Sequence, residues 1–157
     1  MPSDSYLRLI PQPLSDAILR SSSGQRLAFA VACAGLAADH CANGVLGLDD
    51  GAGLSLSAMR DQVRAATGTR EAESIDRALA SREDGLYAQL CALRAGDSDA
   101  PYGEFVRLST LRHAVRALRA ALSRDSVAAA ASAAFETISA TRSESDVERL
   151  QREMLAP

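Results

Sequence analysis

A chain of 157 residues, 47% apolar and 24% charged, is long enough for one domain whose core needs no disulfide or metal to hold it. Its net charge of −3 and pI near 5.4 supply no field that would gather a polyanion, which argues against nucleic acid as a partner. All 17 basic residues are arginine, so no phosphate-cradling loop ending in Gly-Lys exists, and the GxSxG and GxGxxG patterns are absent as well.

From the N-terminus, Tyr6, Leu7, Leu9 and Ile10 belong to an arm, residues 1–13, that is either a turn of helix or an extended segment. Beyond Pro11 and Pro13, a short helix is expected over Ser15 to Ser21, ended by Ser22, Ser23 and Gly24. The next stretch, Gln25 to Ala42, is the apolar centre of the chain: Leu27 through Ala38 carries no charged or strongly polar side chain. A bilayer requires about 20 such residues, and Arg26, Asp39 and His40 bracket the run with groups that want water, so no membrane is expected. The stretch reads as a helix wrapped on every side, capped by Ser23 or Gly24 and stopped at Asn43-Gly44. Its many alanines let neighbours approach closely, while Leu27, Phe29, Val31 and Leu36 supply bulk.

Gly44 to Leu56 is a glycine-rich loop, yet Val45, Leu46, Leu48 and Leu54 imply that part of it packs. Ser57 is placed to cap a helix over Ala58 to Thr67, ended by Gly68. Thr69 opens a further helical region in which Ile75, Leu79, Leu86, Leu90 and Leu93 recur at helical steps. A capping-box pattern at Ser81 to Asp84 leaves open whether residues 70–95 form one helix or two. After a turn through Asp97, Asp99 and Pro101, the segment Tyr102 to Leu122 is strongly amphipathic. Phe105, Leu108, Leu111, Val115, Leu118 and Leu122 make one stripe, and Arg112, Arg116 and Arg119 make another. An alanine-rich helix with Val127, Phe135 and Ile138 follows, and Ser143 with Asp146 opens a last one over Val147 to Leu155. The fold class expected is all-α: a single-domain orthogonal bundle of six or seven helices around a buried, alanine-rich central helix.

Candidate chemistry is sparse. The cysteines, Cys33, Cys41 and Cys91, are an odd number, and no basic segment followed by an apolar one opens the chain; both facts favour free thiols in the cytoplasm. Cys33 and Cys91 lie on apolar helical faces and are expected to be buried, unpaired and metal-free. His40 and Cys41 lack the paired spacing that gives two metal ligands from one element, and Asp49-Asp50-Gly51 lacks the alternating oxygens and closing glutamate of a calcium loop. Glu71, Glu73 and Asp76, like Asp97 and Asp99, are accounted for as complements to helix dipoles. Neither a cofactor nor a catalytic constellation is expected.

Two surfaces remain as contacts for a partner protein. One is the loop, where Leu46, Leu48 and Leu54 alternate with Asp49 and Asp50; the other is the arginine face Arg112, Arg116 and Arg119. A solvated helix face accounts for those arginines better than a contact does, which makes the loop the preferred contact. A short leucine-containing N-terminal helix leads into Gln25-Arg26-Leu27-Ala28-Phe29-Ala30-Val31-Ala32. A Gly/Asp loop follows, and then helices ending in Ala133-Ala134-Phe135-Glu136. This order resembles the small all-helical bacterial immunity proteins of polymorphic-toxin systems. The resemblance implies a protein that binds one toxin domain and occludes its site without cofactor or catalysis. The alternative is a helical small-molecule-sensing or regulatory domain with a pocket left by the small side chains of its interior.

Overall fold

The computed structural model describes residues 2–43, 56–95 and 102–154, and all regular structure among them is helical. Among the described residues eight helices are formed: α1 (Pro2–Leu7), α2 (Gln12–Arg20), α3 (Ser23–Asn43), α4 (Leu56–Ala66), α5 (Ala72–Ala95), α6 (Tyr102–Ala121), α7 (Ser126–Thr141) and α8 (Glu144–Met154). The count exceeds the six or seven expected: the N-terminal arm forms a helix of its own, α1, ahead of α2, which is the short helix expected over Ser15 to Ser21.

Local chemistry fixes the ends. Pro13 sits in the first turn of α2, where its missing N–H costs no hydrogen bond. The cap of α3 is Ser22, one residue before the two expected. The Ser22 N–H donates to Gln25 Oε1 at 2.9 Å and the Gln25 N–H to Ser22 Oγ at 3.2 Å, a reciprocal capping box. Gly68, at φ +79°, lies just beyond α4 in a left-handed conformation that a Cβ would strain. Asp125 caps α7 by accepting from the N–H groups of Val127 and Ala128. Residues 72–95 form one helix: Leu79, Leu86 and Leu90 keep a single buried stripe through the Ser81–Gly85 stretch, and the capping-box pattern there is interior to α5.

The most extensive contacts are those of α3 with α7, α6 with α7 and α3 with α6, followed by α5 with α6. Alanine explains how they come so close. Ala30, Ala34, Ala37 and Ala38 on α3, Ala114, Ala117 and Ala121 on α6, and Ala129, Ala130, Ala131, Ala133 and Ala134 on α7 are all 0 or 1% exposed. Phe29, Leu14, Ile18, Leu79, Leu111, Leu118 and Val147 fill the remaining core. Thr137 Oγ1 ties α7 to α3 by donating to the Cys33 carbonyl at 2.9 Å in the buried interface.

The wrapping of α3 is incomplete. Ala28 is exposed, and Leu27, Val31, Ala32 and Leu36 are only partly covered. Gly35 on this side is buried by the side chains of Arg60 and Arg64, reaching over from α4, and Arg60 is paired with Asp39. Cys33 and Cys41 are buried, but Cys91 is exposed, contrary to its expected burial: α5 buries only the narrow leucine stripe, and Cys91 stands one position past it. Burial pushes the Cys41 thiol up to about 12 and Cys33 higher still.

Candidate functional site

The residues proposed from the sequence fall in two places. Leu46, Leu48, Asp49, Asp50 and Leu54 lie outside the described residues. Arg112, Arg116 and Arg119 lie on α6, and the structure turns them toward α5 and α7 rather than onto an open, solvated face. Steps of four and three keep the arginines on one side of α6, while Asp76 and Glu83, two turns apart, share one side of α5.

The resulting cluster is specific in geometry. Arg119 forms a fork on Asp76, with Nε 2.9 Å from Oδ1 and Nη2 3.4 Å from Oδ2, and its Nη1 donates to Glu83 Oε2 at 2.6 Å. Those hydrogen bonds, the one to Asp76 foremost, raise its already high pKa against the opposing effect of burial. Arg116 donates from Nη2 to the Tyr6 hydroxyl at 3.2 Å; its Nε stands 3.1 Å from Glu136 Oε1 and 3.5 Å from Glu83 Oε1. Burial lowers the Arg116 pKa, but Glu136, Tyr6 and Glu83 together outweigh that and raise it. Asp76 therefore serves as an ion-pair partner across the seam, a stronger role than the helix-end complement expected of it. Glu73 makes a surface pair with Arg124 at 3.3 Å.

Glu136 sits at the centre of the cluster, and no motif in the sequence marks it. Its side chain is 2% exposed. Oε2 is 2.6 Å from His113 Nδ1, and since a carboxylate oxygen can only accept, the ring nitrogen donates. Oε1 is within ion-pair reach of Arg116 Nε but off its hydrogen-bonding direction. It is buried and accepts no hydrogen bond among the described residues. Arg112, the third arginine, stands apart: its guanidinium lies over the Tyr87 ring, 5.0 Å from the centroid, and its Nε is buried without a hydrogen-bond partner among the described residues.

Three clefts adjoin one another on this side of the molecule. A polar cleft of 410 Å³ is lined by Tyr6, Asp76, Glu83, Arg116, Arg119 and Glu136, among others. It shares Asp76 and Ser123 with a second cleft of 580 Å³, which also meets Leu122 and Arg124. That second cleft shares Leu27 and Thr67 with a third, of 410 Å³, floored by Ala28, Val31 and Ala32 of the uncovered side of α3. The three thus lie side by side in a row, here called the trench, polar at the α6–α7 end and apolar at the α3–α4 end.

Among the described residues, no three His, Cys, Asp or Glu side chains converge as metal ligands, and no helix is long and apolar enough to cross a membrane. No protein-family model matches the chain, and neither the curated proteins nor the solved structures contain a significant match.

Proposed function

We propose that this chain is a non-enzymatic protein-binding module of the immunity type, acting in the cytoplasm on a toxin domain whose site it occludes. In this reading the scaffold is an orthogonal bundle organised around α3, and recognition belongs to its surface. The observation that carries the proposal is the trench: a row of adjoining clefts with apolar lining at Leu27, Val31 and Ala32 and a charged end around Glu136 has the mixed character of a partner surface. Reading it as a pocket between packed helices, as a small-molecule sensor requires, has less support. Alanines of α3, α6 and α7 that expose 0 or 1% of their surface border no void large enough for water, so their small size serves close packing.

Coexpression with a toxin-like domain encoded by an adjacent gene, followed by affinity capture, tests this reading. Capture by the wild-type chain, weakened by Val31→Arg in the trench, is the expected result. Failure of such a domain to bind the wild-type chain removes the immunity reading. Changing Asp49 and Asp50 together to Arg tests the loop as a second contact, with an expected loss of about 2–5 kcal/mol if it enters the interface.

A further inference from the structure

We infer that the α3–α4 end of the trench docks an acidic amphipathic segment of the partner, with apolar side chains over Leu27, Val31 and Leu122 and carboxylates on Arg64, Arg70 and Arg124. This deepens the protein-binding reading and rests on it. α3 and α4 run antiparallel: Asp39 pairs with Arg60, Gly35 lies under Arg60 and Arg64, and Leu27 and Thr67 line one cleft. The arginine stems close the seam at Gly35. It opens over the first half of α3, where Leu27, Ala28, Val31 and Ala32 line a cleft of 410 Å³ that has Arg64 on its wall and, among the described residues, no carboxylate. The adjoining cleft of 580 Å³ shares Leu27 and Thr67, adds Leu122, and carries Arg70 and Arg124.

The sign of the charge here is opposite to that of the whole molecule, whose net charge is −3. Among the described residues neither Arg64 nor Arg70 makes an ion pair, and the carboxylates on α3 and α4, Asp39 and Asp61, are taken by Arg60. Two carboxylates line the larger cleft. Asp76 is held in the fork of Arg119, and Glu73 meets Arg124 in a pair whose side chains are 75% and 91% exposed, so that water screens it and an incoming carboxylate exchanges with it at little cost. Glu71, beside Arg70 in the chain, lines neither cleft. A segment apolar on one side and acidic on the other matches both features. Its apolar groups leave water over Leu27, Val31 and Leu122, which supplies affinity, while the arginines select its charge and orientation. Apolar groups spaced at i, i+3, i+4 and i+7 present such a face on a helix. A basic segment would meet like charge at all three arginines.

The test uses the full chain and the peptide Ac-Glu-Leu-Glu-Glu-Leu-Leu-Glu-Glu-Leu-NH2, with its glutamine-for-glutamate counterpart as the neutral control. The methyl resonances of Leu27 and Val31, assigned by Leu27→Met and Val31→Ile, are followed by NMR at constant ionic strength. The acidic peptide should shift them saturably, and the neutral peptide should bind at least about tenfold more weakly. Arg64→Glu combined with Arg70→Glu should weaken the acidic peptide by a similar factor. If circular dichroism shows that loss of the Arg64 stem over Gly35 disturbs the fold, Arg70→Glu with Arg124→Glu carries the same expectation. Equal binding of the two peptides, or wild-type affinity in these variants, would overturn the inference. So would concentration-dependent shifts of the same methyls without peptide, which would assign the face to a second copy of the chain. Shifts with phosphatidylglycerol vesicles but not with the peptide would overturn it in favour of a membrane. The titration needs no toxin, so a negative titration with successful capture removes this site alone. Failed capture beside a saturable titration removes the immunity reading alone.

Discussion

Ala34 and Ala28 occupy the same helix and differ in what faces them, which makes Ala→Leu at both positions a test of how α3 is packed. Ala34 is 1% exposed, whereas Ala28 is exposed. Leucine and alanine are both strong helix formers, so the backbone contributes little at either site. At position 34 the added isobutyl volume has nowhere to go except into an interface already closed by alanines; overpacking of this kind costs about 1–3 kcal/mol. For a domain of this length each kcal/mol moves the melting midpoint by about 2–4 °C, which places Ala34→Leu about 2–12 °C below wild type. Ala28→Leu should stay within about 0.5 kcal/mol. Thermal melts by far-UV circular dichroism, with urea midpoints at constant m-value, measure the difference. Equal midpoints for the two variants would refute close packing of the alanine faces of α3, α6 and α7.

Ser22→Ala removes the side-chain half of the α3 capping box and should cost about 0.5–2 kcal/mol in urea denaturation, whereas Ser23→Ala should be near neutral. Arg142 ends α7 at φ 56° in the left-handed region, so Arg142→Gly should stabilise the protein by up to about 1 kcal/mol; a loss of stability would show that the arginine makes a contact that outweighs its backbone strain. A thiol reagent should label Cys91 rapidly in the native state and Cys33 and Cys41 only on unfolding. The raised native pKa values of those two thiols mean that their contribution to stability is complete below the ordinary value of 9.0 and is lost as pH rises from there toward about 12 for Cys41 and higher for Cys33. Each should lower the unfolding free energy by about 1.4 kcal/mol per pH unit in that window, and Cys33→Ala with Cys41→Ala should flatten the alkaline slope.

Helix positions were readable because each is set by short-range chemistry. The leucine stripe of α6 and the seryl and glycyl punctuation at Gly68 and Ser143 depend only on residues within a turn or two. The errors came where two local rules competed. Ser22, Ser23 and Gly24 are all acceptable caps, and the choice falls to Ser22 because only from there does Gln25 occupy the third helical position and reach back. The Ser81–Asp84 pattern matches a capping box equally well, but the burial of Leu79 and Leu86 on one stripe holds α5 together through it. Cys91 shows the reverse problem: small and apolar, it suggests a core position, and nothing local reveals that α5 has only one buried side.

The charged cluster was half visible. The arginine stripe of α6 could be read from its spacing, but whether it faces water or carboxylates depends on which helices flank it, a fact set by contacts far apart in the sequence. Glu136 carried a clue that spacing rules do not use: it is the single charged residue between Ser126 and Thr141 in a helix otherwise made of alanine and small or apolar side chains. Such a helix has no solvated face on which a carboxylate would ordinarily lie, so the glutamate is buried wherever the helix is buried, and a buried carboxylate requires cations. Arg116 at the α6 seam answers that requirement with an ion pair, His113 one turn earlier adds a hydrogen bond, and Asp76 and Glu83 on α5 answer the arginines in turn. The lone charge in α7 thus implies a polar seam between α6 and α7. This seam opens into the polar cleft that Tyr6, Asp76, Glu83, Arg116, Arg119 and Glu136 line.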